Sequence, residues 1–168
     1  MALEMTGVYM LPLPRAAVWT ALNDPSLLRQ CIPGCESFDK LSETDFAVVS
    51  RLAVGPIKAR FKGKLKLQDL DPPNGCTILG EGEGGIAGFA KGSAAVQLAD
   101  ANDGTQLTYT AKAQVGGKLA QLGQRLISGA ARKIANLFFA NFAAALVSSS
   151  SDSASSVVNA GESDLAPT

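Results

Sequence analysis

The stretch Lys118–Leu146, KLAQLGQRLISGAARKIANLFFANFAAAL, is the longest segment of the chain that reads as one element. Leu119, Leu122, Leu126, Ala130, Ile134, Leu137, Phe138, Asn141, Phe142 and Ala145 recur at three- and four-residue steps and form one apolar face. Gln121, Gln124, Arg125, Ser128, Arg132, Lys133 and Asn136 fill most of the other face. Gly117 precedes the stretch and a serine run from Ser148 follows it, so a single helix of about 29 residues is predicted, roughly 43 Å long at 1.5 Å per residue. A helix of that length needs a large apolar partner. Residues 36 to 115 read as strand, so the partner is a sheet wrapped around the helix.

The sheet is legible strand by strand. Residues 2–10 open it, and Pro12 and Pro14 stop that first strand. Two short helices follow, Pro14 to Leu22 and Ser26 to Cys31, separated by Asn23-Asp24-Pro25. Strands are then predicted at Ser37–Leu41, Asp45–Val54, Ile57–Leu67, Cys76–Gly84, Ala90–Ala99 and Thr105–Val115. The third of these six alternates most cleanly. Ile57, Ala59, Phe61, Gly63, Leu65 and Leu67 share one face, while Lys58, Arg60, Lys62, Lys64 and Lys66 share the other. From Ser148 the composition turns to Ser, Asp, Asn, Gly and Ala, and the expectation is a folded domain over 1–146 with a disordered tail over 147–168.

Composition narrows the function classes. The 168 residues suit one domain; net charge is zero, which gives no global argument for nucleic acid. There is no run of eighteen apolar residues and no secretory signal pattern, and three cysteines make no disulfide framework, so a cytoplasmic setting is expected. The chain has no histidine, which removes Ser-His and Cys-His chemistry and the commonest metal ligand. Cys31 and Cys35, with only Cys76 besides, fall short of a zinc set and read as packed thiols. Glu81 and Glu83 share a face and are expected opposite Lys64 and Lys66 as cross-strand ion pairs rather than as an acid–base pair. No catalytic or metal-ligating residues are therefore assigned. The glycines between Gly80 and Gly92 lack phosphate-loop spacing and serve curvature or close approach.

Two features point toward binding. The stripe Lys58, Arg60, Lys62, Lys64 and Lys66 offers a docking face for an anionic membrane or an acidic partner. Small residues (Ala59, Gly63, Ala94, Ala111, Ala113) on strands beneath a long helix leave volume for an apolar ligand. Trp19, Phe46, Phe61, Phe89, Tyr109, Phe138 and Phe142 are the candidate lining.

The order strand, two short helices, six-stranded meander and long C-terminal helix resembles the α+β helix-grip fold of START-like (SRPBCC, polyketide cyclase-like) proteins. Several segments resemble the CoxG family, the G-type subunits of carbon monoxide dehydrogenase: Pro14-Arg15-Ala16-Ala17-Val18-Trp19, Leu22-Asn23-Asp24-Pro25, Leu28-Arg29-Gln30-Cys31-Ile32-Pro33-Gly34-Cys35-Glu36, Val54-Gly55-Pro56-Ile57-Lys58, Phe61-Lys62-Gly63 and Gly92-Ser93-Ala94. The resemblance covers residues 2 to about 146. It implies a curved antiparallel sheet of about seven strands around the helix. It also implies a non-catalytic accessory protein of a molybdenum hydroxylase of the carbon monoxide dehydrogenase type, binding a lipid or quinone in the helix–sheet cavity and linking the enzyme to the inner face of the cytoplasmic membrane. The family hands over no catalytic motif and no other cofactor. Some relatives carry a longer apolar or amphipathic tail, whereas this sequence ends in Ala166-Pro167-Thr168, so membrane contact is expected from the folded domain. A START-like enzyme, a cyclase or hydrolase with Tyr109 in its site, and a ligand-free assembly factor stay open as alternatives.

Overall fold

The computed structural model describes the backbone of residues 1–161 and side chains through Ser148. Seven antiparallel strands form one sheet: β1 (Ala2–Leu11), β2 (Cys35–Lys40), β3 (Asp45–Val54), β4 (Ile57–Asp71), β5 (Gly75–Glu83), β6 (Phe89–Ala101) and β7 (Gly104–Gly116). Their spatial order is β1-β7-β6-β5-β4-β3-β2, so the chain crosses from one sheet edge to the other before the meander begins. Helices α1 (Arg15–Leu22) and α2 (Pro25–Cys31) make that crossing. Pro25 sits at the first turn of α2, and the Asp24 carboxylate accepts from the Ser26 and Leu27 amides at 3.0 and 3.4 Å, satisfying donors the helix start would otherwise leave open. The helix-grip α+β architecture is thus the fold of this chain.

The long helix differs from the expected one at both ends. A short α3 (Lys118–Gln121) is followed by a break at Leu122 and Gly123, and α4 runs Gln124–Gly161. Gly123 has φ +92°, a left-handed conformation that ends α3 with its amide donating back to the Ala120 carbonyl. The apolar period continues across this break, which is why it is invisible in the pattern. At the other end the helix passes Leu146 and continues to Gly161, through the first part of the expected tail. No proline or glycine interrupts residues 147–160, and a helix already nucleated propagates cheaply. Residues 162–168 of that expected tail lie outside the described residues.

The core has two parts. The larger packs Leu11, Val18, Leu28, Phe38, Phe46, Leu98, Leu107, Tyr109, Phe142 and Leu146 between the sheet and α1, α2 and α4. The smaller one, Val54, Val115, Leu119 and Ile127, lies under α3 and the start of α4. The segment Gln124–Ser148 is long and apolar enough by length and composition to cross a membrane, although no unbroken run of eighteen apolar residues exists; here Ile127, Phe142 and Leu146 on it are buried against the domain. Asn141, on the apolar face of α4, donates to the Cys31 carbonyl at 3.1 Å and ties that helix to α2.

Candidate functional site

Strand alternation gives the sheet a helix side and an outer side, and the two differ in chemistry. On the helix side Tyr9 of β1 stacks on Phe139 of α4 with ring centroids 4.1 Å apart, and Tyr109 of β7 lies alongside at 5.9 Å from Phe139. Phe138 and Phe142 stack at 5.9 Å, and Phe38 meets Phe46 at 5.4 Å. The Tyr9 hydroxyl donates to Asn136 Oδ1 at 2.6 Å. The Tyr109 hydroxyl has no partner among the described residues, although the residue is only 6% exposed. Burial, with Tyr9 beside it, pushes the Tyr109 phenol above its ordinary pKa, so it stays protonated as a donor. Ser50 Oγ, also on the helix side, is the second buried hydroxyl without a partner there. Around these groups Gly63, Gly80, Gly92, Ala94, Ala111 and Ala113 stay half-buried rather than closed over.

The seven aromatic residues expected to line a cavity separate into three groups. Phe46, Tyr109 and Phe142 are core residues, and Trp19 and Phe138 pack half-buried against the same cluster. Phe61 belongs to the smaller cluster under α3, where its ring covers Gly84. Phe89 is not on the helix side at all. Two residues before the outward Lys91, it faces outward by alternation, 48% exposed, with its ring across Gly116. Tyr9, Phe139 and Ser50 are the helix-side residues that sequence reasoning missed. The odd positions of residues 3–9 carried the signal for Tyr9, since Leu3, Met5 and Tyr9 share one face.

A cavity of about 1060 Å³ forms a trough on the outer side. Two outward rows wall it: Glu4, Lys112, Ser93, Leu79, Lys66 and Asp45 form one, and Ala2, Gln114, Lys91, Glu81 and Lys64 the other. Between them the inward-pointing row Leu3, Ala113, Gly92, Gly80, Leu65 and Phe46 contributes the floor, so Phe46 alone of the expected lining residues borders it. Among the described residues, none of α4 does. The trough crosses six strands, roughly 24 Å at 4.8 Å per strand. Leu41, 60% exposed, stands at its β3 end.

All five cations of the stripe are exposed on the outer face of β4, as the alternation requires. Lys64 and Lys66 belong to the trough, whereas Lys58 and Arg60 border a second, smaller depression. Arg60 is already engaged: Glu36 meets Arg51 at 2.5 Å and Arg60 at 2.9 Å, and the Arg51 hydrogen bond leads in holding its carboxyl below the usual range. Register sets Lys64 opposite Glu81 and Lys62 opposite Glu83, one pair along from the expected match with Lys64 and Lys66. Neither pair closes to a salt bridge among the described residues. Lys62, Lys64, Lys66, Lys91 and Lys112 form no salt bridge among the described residues, while the Ser42 and Thr44 hydroxyls, with Lys66 across the ladder, hold Asp45 ionised below its ordinary range.

The cysteines carry no competing chemistry. All three are free; Cys31 is fully buried and burial pushes its thiol up to about 11, far from a reactive thiolate. Cys76 is raised for the same reason. Among the described residues no three Cys, Asp or Glu side chains gather as a metal set.

A seven-stranded sheet gripping one long helix over an aromatic core defines a START-like helix-grip protein. Residues 7–147 match the family model for CoxG, the G-type subunit of carbon monoxide dehydrogenase, and the chain belongs to the CoxG family. A crystal structure described as a conserved protein from Geobacillus kaustophilus is 34% identical, covers 88% of this chain and 97% of that one, and superposes with a TM-score of 0.82. Protein Ms6760 from Mycobacterium smegmatis, 16% identical over 88% of this chain and 92% of its own, has a TM-score of 0.67. SA2116 from Staphylococcus aureus, 12% identical over 90% and 97%, also reaches 0.67; these two share the fold. Comparison with curated proteins returned no match. Family membership ties the role of the chain to carbon monoxide dehydrogenase.

Proposed function

We propose that the chain is a non-catalytic accessory protein of a molybdenum hydroxylase of the carbon monoxide dehydrogenase type. It holds a lipid or quinone between α4 and the sheet and links the enzyme to the cytoplasmic membrane. The observation that carries the ligand is the Tyr109 hydroxyl. A buried donor left unpaired costs about 1–3 kcal/mol. A ligand with a carbonyl or ester oxygen would accept from that phenol and recover the cost. Small, half-buried Ala94 and Ala111 on the helix side of β6 and β7 support room for an apolar chain beside it. Trp19, Phe61 and Phe138 flank that region from α1, β4 and α4; Phe46 and Phe142 support it from the core. The hydroxylase docks on the outer side, where Lys64 and Lys66 project charge along the trough toward an acidic surface.

Native mass spectrometry with organic extraction of the purified protein tests the ligand. A stoichiometric lipid or quinone is expected, and Tyr109→Phe should lower its occupancy while leaving the fold no less stable, since the variant also removes an unpaired hydroxyl. An empty protein whose stability rises with Tyr109→Phe, and which still captures the hydroxylase, would make it a ligand-free assembly factor.

A further inference from the structure

In an antiparallel sheet the turns collect at two ends, and here the ends carry opposite character. At one end the β2–β3 turn carries Glu43 and Asp45, the β4–β5 turn is flanked by Asp69 and Asp71, and the β6–β7 turn by Asp100 and Asp103. At the other end lie the β3–β4 turn, the β5–β6 loop, α3 and the start of α4. Exposed Lys58, Lys62, Lys91, Lys118 and Arg125 surround that end, without an ion pair among the described residues; Glu83 and Glu81 lie beside them, and Glu36 is held by Arg51 and Arg60. Large apolar side chains face solvent at both ends, Leu41 at 60%, Leu70 at 45% and Met10 at 61% at the acidic one, but here they stand among cations: Ile86 is 84% exposed, Phe89 48% and Leu126 37%.

Ile86 owes its exposure to a loop built for that purpose. Residues Gly85–Ala87 form a single 3-10 turn between Gly84 and Gly88, and Gly85 and Gly88 have φ of +63° and +119°. A Cβ at Gly88 would strike the Gly116 carbonyl, so the loop is pressed against the β7–α3 corner from which Lys118 emerges. Leu126 packs beside the β3–β4 turn, where a Cβ on Gly55 would lie 3.1 Å from its Cδ2. The apolar tips and the cations therefore sit on one surface.

We infer that this end of the barrel-like sheet, led by Ile86 and flanked by Lys118, is the surface that meets an anionic bilayer. Apolar side chains reach below the headgroups while the cations pair with anionic lipid, and the acidic end points away. The inference rests on the membrane link proposed above and assigns it to an end of the fold rather than to the outer face of β4.

Sedimentation of the full chain with vesicles of phosphatidylcholine and phosphatidylglycerol in a two-to-one mixture, and with phosphatidylcholine alone, tests it. Binding is expected with the anionic vesicles only. Ile86→Asp should lower partitioning by about tenfold or more. Lys118→Glu should lower it about 30-fold, two charges at about 1 kcal/mol each. Met10→Asp, another exposed apolar position, at 61% on β1 near the acidic end, should leave it unchanged. Anionic binding that survives Ile86→Asp and Lys118→Glu overturns the assignment and leaves the membrane link standing. No binding by the unaltered chain overturns both.

Discussion

Tyr109 and Gly7 show how one residue pair constrains both stability and site. The Tyr109 ring lies so close over Gly7 that a Cβ there would collide with its ring carbons. The two residues are register partners on β1 and β7, so neither backbone can withdraw without opening the ladder. Gly7→Ala should therefore cost about 1–3 kcal/mol, as overpacking does in a closed core. It should also turn the phenol away from its present site. Urea unfolding measures the first effect and ligand occupancy by native mass spectrometry the second. A variant of unchanged stability that keeps a full ligand would mean that Tyr109 has room to move and that its burial is incidental. Glu36 makes the contrasting point: two arginines claim it on the surface, so Arg60 has less charge to offer a partner than its place in the stripe suggests.

At the scale of elements, much was legible because period and pattern act locally. The alternation from Ile57 to Leu67 fixed which face of β4 is buried, and Asn23-Asp24-Pro25 separated the two short helices, because both signals depend on neighbours a few residues away. The break at Gly123 was not legible: Leu119, Leu122 and Leu126 keep helical spacing across it, and only backbone dihedrals reveal the turn. The trough was not legible either, since its walls come from six strands and depend on register. Phe89 was misassigned because an aromatic residue reads as core until its strand phase is known. Gly123 makes a clean test of the break. Nothing lies within 4 Å of a Cβ built there, so Gly123→Ala introduces backbone strain alone. The expected cost is about 1–2 kcal/mol, and Gly123→Asn should cost less because asparagine tolerates the left-handed region. Thermal melts separate the two. Equal stability of all three would show that α3 and α4 can merge into one continuous helix without loss, as the unbroken apolar period implies.

The whole molecule presents three surfaces: the helix side of the sheet, the outer trough and the apolar-basic end, the last two meeting at Lys91. If they serve ligand, hydroxylase and membrane in that order, damage to one should leave the others working. The trough is the place to test this separation. Lys64 and Lys66 are exposed, form no salt bridge among the described residues and face β5 rather than the β5–β6 loop. Charge at the rim of an interface acts mainly on the encounter, through steering that salt screens. Lys64→Gln together with Lys66→Gln should accordingly slow association with the hydroxylase severalfold and flatten its salt dependence, with a smaller change in dissociation. Kinetic binding of the two proteins at low and high ionic strength gives those rates. The same variant should bind anionic vesicles as the unaltered chain does, and Ile86→Asp should associate with the hydroxylase at the normal rate. If the double variant instead loses vesicle binding and keeps its association rate, the outer face of β4 is the membrane surface, and the enzyme must dock elsewhere on the fold.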